Sequence, residues 1–227
     1  MMKIRRILGV CLALSMLLQG TMASVSGREV DIRGRTVRST TPPFSFTLPA
    51  EFRSIDFFSQ ENPAESSLTR GYFLVRARDQ RMEELFILQI SDRTNPQAGP
   101  MTVSPLKPYT EKRLYAQEKR KKGNLTGEVL IQLMAWNPEA PSLRGLIKKG
   151  IVIPPHWALQ GQFQFLYQGD HAVSFRYSKD VGSFGMKVSE DGKRWEKDSL
   201  TDNEKKTYEI FKKTFTEMID SIQIRNP

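Results

Sequence analysis

Cysteine is nearly missing from this chain: its one example, Cys11, lies inside an apolar run close to the N-terminus. Histidine is almost as scarce, with His156 and His171 alone. No stretch approaches the roughly 20 consecutive apolar residues with which a helix spans a bilayer. Each shortage excludes something. A single cysteine forms no internal disulfide and builds no thiolate metal site. Two histidines without a His-x-x-x-His pair leave a zinc site short of its three or four ligands. Stability must then come from a packed core, which a chain of this length can bury.

What is present begins with an address. Lys3, Arg5 and Arg6 precede the twelve-residue apolar run 7–18, and Gln19-Gly20-Thr21-Met22-Ala23 follows it. A basic segment, a short apolar core and small residues at Thr21 and Ala23 predict a signal peptide over 1–23, cleaved after Ala23, or alternatively after Gly27. Leu8-Gly9-Val10-Cys11 has the outline of a lipoprotein box, but most of the apolar run follows the cysteine instead of preceding it. The expected product is secreted or periplasmic, free of thiols, with no transmembrane segment after cleavage.

Removing the leader takes three bases from an excess of 34 over 25 acids. Most of what remains is local. Lys107, Lys112, Arg113, Lys119, Arg120, Lys121 and Lys122 fall in one short segment with only Glu111 and Glu118. In an exported protein such a patch points to an acidic protein or an anionic envelope component, and away from nucleic acid.

Patterning predicts a polar lead-in over 24–43 and one α+β domain over 44–227. Val30-Asp31-Ile32 and Arg35-Thr36-Val37 suggest a short edge hairpin around Gly34. Phe44, Phe46 and Leu48 alternate with polar residues, as in a half-buried strand stopped by Pro49. Residues 54–58 extend that layer, 61–67 read as loop, and 71–78 and 83–91 form a hairpin. The second of these, through Leu85-Phe86-Ile87-Leu88, should be central and covered on both faces. Residues 92–108 carry four prolines and read as a long loop. Between Pro108 and Gly123, residues 109–122 read as an outer basic helix. A strand over 129–136, a helix over 141–149 and a short extended piece at 151–153 come next. Residues 162–167 and 172–177 flank Gln168-Gly169-Asp170 as a hairpin, and a second hairpin is expected around Glu190-Asp191-Gly192-Lys193. Thr201-Asp202-Asn203-Glu204 has capping-box spacing, and Tyr208, Phe211, Phe215, Met218 and Ile222 then repeat at helical intervals before a short extended tail.

No catalytic set emerges. Ser104-Pro105-Leu106-Lys107 matches Ser-x-x-Lys only where proline breaks the helical turn that motif needs. Gly182-Ser183-Phe184-Gly185 lacks the spacing of a nucleophile elbow. Gly145 to Gly150 has phosphate-loop spacing, but Ile151 stands where the lysine belongs. Asn124-Leu125-Thr126 is a glycosylation sequon. Trp136, Trp157 and Trp195, each beside a turn, are candidates for exposed aromatic contacts.

The aromatic strand ending in Leu48-Pro49, the central strand pairs and a closing helix ending in Ser221-Ile222 resemble the PsbP/Mog1-like superfamily. The resemblance implies an antiparallel β-sheet sandwiched by helices, with a C-terminal amphipathic helix packed on the sheet. It also implies a non-enzymatic accessory role. The expectation is thus a monomeric, exported binding protein without cofactor, docking a protein partner through its basic segment. The alternative is a small-molecule or lipid carrier with a cavity between sheet and C-terminal helix, lined by Phe163, Phe165, Phe211 and Phe215.

Overall fold

The computed structural model describes residues 29–123, 125–154, 157–186, 195–196 and 199–225. The predicted leader, the sequon asparagine, His156 and the turn at 190–193 lie outside them. Two antiparallel sheets carry the fold. In the smaller one, β1 (Val30–Arg33), β2 (Thr36–Ser39) and β3 (Phe44–Thr47) form a meander, and the last strand, β11 (Gln223–Ile224), adds on β3. The larger sheet has seven strands: β4 (Arg53–Asn62), β5 (Ser67–Arg78), β6 (Arg81–Arg93), β7 (Tyr115–Lys122), β8 (Leu125–Ala135), β9 (Trp157–Tyr167) and β10 (His171–Asp180). Their spatial order is β4-β5-β6-β10-β9-β8-β7. Two helices complete the chain, α1 (Pro141–Lys148) between β8 and β9, and α2 (Asp202–Asp220) before β11.

The main core lies between one face of the large sheet and a cover made of the small sheet and α2. Strand alternation drives Phe86, Phe163, Phe165 and Phe175 inward, where they meet Phe44 and Phe46 from β3. On α2, Tyr208, Phe211, Phe215, Met218 and Ile219 point at the same core. Phe211 stacks on Tyr177 of β10 with centroids 5.2 Å apart and planes 8° from parallel. Each fully buried ring of this kind contributes about 1.5–3 kcal/mol. The helix starts as its sequence requires. Thr201 Oγ1 accepts from the Glu204 N–H at 3.3 Å, and Glu204 Oε2 accepts from the Thr201 N–H at 2.8 Å.

A second, smaller core sits on the opposite face of the large sheet. There Leu143 and Leu146 of α1 pack on Phe73, Val75, Leu85 and Trp136. β6 is therefore covered on both sides near Leu85-Phe86, as its continuous apolar run predicts. Among the described residues no helix is long and apolar enough to cross a membrane.

Two expectations are corrected. Residues 109–122 are not a helix: 109–114 are irregular and Tyr115–Lys122 is β7, an edge strand paired with β8 from Tyr115 opposite Gln132 to Lys122 opposite Leu125. The apolar face available to a helix here was too thin to hold it on a core, whereas pairing with β8 satisfies the backbone at once. Gly123, at φ 57°, turns the chain into β8 instead of ending a helix. The second correction concerns the layers. Helices do not sandwich the sheet. A β-sheet shares the cover of the main core with α2, and the eight-residue α1 covers only part of the other face. Smaller differences are the extension of β4 and β5 into 61–67, leaving only the single turn Pro63–Glu65, and of β6 to Arg93.

Candidate functional site: the basic edge and the polar face of the large sheet

Because residues alternate along β7, its bases divide between two faces. Arg120 and Lys122 share the core side with Ala116 and reach the end of α2. Arg120 pairs with the Asp220 carboxylate at 3.0 Å, and Lys122 Nζ donates to the Asp220 carbonyl at 2.5 Å. Cations at a helix C-terminus meet the negative end of its dipole, so this pair fastens α2. Arg113 lies 4.0 Å above the Trp157 ring, a cation–π contact. Lys107, Lys112, Lys119 and Lys121 are exposed. Among the described residues Lys107, Lys112 and Lys121 have no ion pair. Of the seven predicted basic residues, Lys119 to Lys122 lie on the edge strand and Lys107, Lys112 and Arg113 in the segment leading to it, with four presented to solvent and three engaged inside the fold.

The predicted aromatic and cavity-lining residues are placed differently. Trp136, Trp157 and Trp195 are buried, lidding core edges instead of facing solvent. Phe163, Phe165, Phe211 and Phe215 are each exposed by 1% or less. The Phe163 and Phe165 rings meet at 5.5 Å with their planes tilted by 40°, and Phe215 lies directly over Gly161. His171 Nδ1 lies 2.7 Å from Asp92, which also holds the buried Arg70. Among the described residues no group of three metal-binding side chains forms. Buried Glu84 is likewise committed, to Arg76, Lys179 and the Tyr177 hydroxyl, whose pKa burial and the Glu84 charge push up.

The face of the large sheet away from the main core is polar where α1 does not cover it. Gln160, Gln162 and Gln164 of β9 stand beside Ser174, Arg176 and Ser178 of β10. Gln89 of β6 lies opposite Ser174 on the other flank, and Glu128 of β8 opposite Gln164. The proline-rich segment crosses this face as a strap. Gln164 donates to the Ser104 carbonyl at 2.6 Å, the Leu106 N–H to Glu128 at 2.8 Å, and the Tyr109 N–H to Gln132 at 2.5 Å. Leu106 is buried beneath it. Between strap and sheet lies a depression of 380 Å³. A larger one, 720 Å³, opens beside Lys122 and Asp220, but Asp220 already meets Lys122 through its carbonyl and Arg120 through its carboxylate.

No family model, curated protein or solved structure matches this chain.

The polar face was legible in part. Gln160, Gln162 and Gln164 alternate with apolar residues, as do Ser174, Arg176 and Ser178, so an outward polar row follows from period two alone. What assembles that row with Gln89 and the strap is strand order.

Glu128 makes the strap sensitive to acid. Burial opposes its charge, but the Leu106 N–H, Gln117, Gln164 and the Lys119 charge outweigh that, and its pKa lies below the ordinary carboxylate value. A depressed acid stabilises the fold above its unfolded pKa and loses that contribution as pH falls through the folded value. Strap protection should therefore be intact at neutral pH and fall below about pH 4. Hydrogen exchange at the Leu106 amide, corrected for intrinsic rate, checks this. Glu128→Gln should remove the acid dependence while β9 and β10 stay protected.

Proposed function

We propose that this chain is an exported, non-catalytic binding protein whose partner is an acidic protein segment docked along β7. The observation that carries the reading is the edge itself. Lys119 and Lys121 stand exposed on a strand that, among the described residues, pairs along its length with β8 only, and Lys107 and Lys112 flank it. An unpaired strand edge offers backbone N–H and C=O groups to an added strand. Lysines on such an edge repel a second basic copy, which protects against self-association. The same charges attract and orient an acidic segment. The basic leader is in keeping with export.

The test uses the full chain with a photo-crosslinker at Lys112, probed in an envelope extract from its host. One adduct should form, through an acidic stretch of the captured protein. It should fade as salt shortens the screening length to about 3 Å near 1 M. Charge reversal at the edge, Lys121→Glu, should reduce capture at least tenfold without moving the melting temperature. Lys212→Glu with Lys213→Glu, on the outer face of α2, should leave it unchanged. Equal capture by the wild type and the edge variant would sink the reading.

A further inference from the structure

The depression on the polar face contains an arginine that the fold itself does not use. Arg176 lies on β10, near the middle of the large sheet, with Ile87 opposite on one side and Gln162 on the other. Among the described residues its guanidinium makes no hydrogen bond and no ion pair, although most other arginines of the sheet are matched to carboxylates. Its side chain is exposed, although the neighbouring side chains desolvate it enough to lower its pKa from the ordinary arginine value. The amides of Gln162 and Gln89 also have no partner among the described residues, and both line the depression. Ser174 Oγ is buried there without a hydrogen bond. Buried polar groups are normally satisfied, so the unpartnered Ser174 hydroxyl calls for an explanation, and it stands beside the exposed Arg176 and the half-buried Gln89.

We propose that this depression binds a small molecule bearing one carboxylate beside hydroxyl or amide groups. Arg176 grips the carboxylate, and Gln162 and Gln89 bond the neutral groups. The planar guanidinium fork matches a carboxylate through two parallel N–H···O bonds. A single arginine with neutral amides, and with Glu65 and Lys107 both at the rim, suits a monoanion better than a doubly charged phosphate. The volume, 380 Å³, lies at the small end of ligand pockets. It therefore takes one sugar-acid or amino-acid-sized molecule, not a lipid. The strap supplies the roof, held through Gln164 and Glu128, which leaves Arg176 and Gln162 free for the ligand.

Calorimetric titration of the full chain tests this with paired probes. Glucuronate against glucose covers a sugar acid, and N-acetylalanine against its amide covers an amino-acid source. At least one carboxylate should bind in the millimolar range or tighter, about what ligands of this size reach. Its neutral counterpart should bind at least tenfold more weakly. Arg176→Met should remove the same factor, with Arg176→Lys intermediate, and Gln162→Leu should weaken binding without abolishing the charge preference. Since Arg176 has no partner within the fold, Arg176→Met should melt at or above the wild-type temperature. Three results would overturn the proposal: no preference for either carboxylate over its neutral partner, inorganic phosphate bound as tightly and with the same Arg176 dependence, or a markedly lower melting temperature for Arg176→Met. Lys121→Glu, on the edge strand and away from the strap, should leave this binding unchanged, so the two sites stand or fall separately.

Discussion

Phe175→Ala should destabilise this protein by about 3–5 kcal/mol, the range for truncating a fully buried phenylalanine. Phe175 has no exposed surface and lies where the two sheets meet. Its ring faces Phe46 at 4.8 Å, Phe44 at 5.8 Å, Phe163 and Phe165 at 6.0 Å, and Phe86 at 6.2 Å. Removing it leaves a void ringed by five aromatic side chains, held on the three strands β3, β6 and β9 and so unable to collapse inward. The surrounding rings lose dispersion contacts as well as burial. Against the usual 5–15 kcal/mol of total stability, the change is large. Melting should drop by roughly 6–20 °C. The urea midpoint should fall while the slope of the transition stays constant, because the fold that unfolds is the same. Phe175→Leu, which keeps most of the volume, should cost clearly less. A loss under about 1 kcal/mol for the alanine variant would mean that the sheets are not packed through this ring.

Gly161→Ala should be the more revealing change, because propensity and packing predict opposite signs. Away from steric conflict, replacing glycine by alanine stabilises by about 0.4–1 kcal/mol through the unfolded chain. Here a Cβ would stand 2.5 Å from ring atoms of Phe215. Phe215 has no exposed surface and cannot swing aside. Its helix is held at one end by Arg120 and Lys122 on Asp220, and further along by the Tyr208 hydroxyl donating to the Ile131 carbonyl at 3.2 Å. Overpacking therefore wins, at a net cost of about 1–3 kcal/mol. The conflict is specific to one partner, which a double-mutant cycle exposes. In a Phe215→Leu background the alanine should cost at least 1 kcal/mol less, a coupling of the size expected between residues in contact. Strict additivity would show that α2 does not rest on β9 at this point.

Several elements were legible in the sequence because their causes are local. The capping box at Thr201 and Glu204, followed by apolar residues three and four apart, specifies α2 without reference to the rest of the chain. The β9–β10 hairpin follows from Phe163 and Phe165 alternating with glutamines, and from the turn at 168–170. β6 reads as a central strand since Leu85-Phe86-Ile87-Leu88 leaves no polar face for solvent. β7 was not legible in this way. Lysine, arginine and glutamate favour helices as isolated residues. Pro108 and Gly123 stand where a helix would start and stop. Its partner strand, β8, decides the matter by offering a free edge to pair with. The basic cluster was visible as composition, but its division was not. Only the pleat shows that Arg120 and Lys122 serve α2 while Lys119 and Lys121 face away.

The sequence by itself determined the single cysteine, the basic segment, the aromatic strands and the closing helix, since each follows from residue type and spacing within a few turns. Tertiary structure decided what covers the sheet, which lysines are free, and that Arg176, Gln162 and Gln89 share one depression. Gln89 and Ser174 are opposite one another only because β10 pairs with β6 across the centre of the sheet. Strand order of that kind is set by burying two aromatic faces against each other at long range, and no local period encodes it.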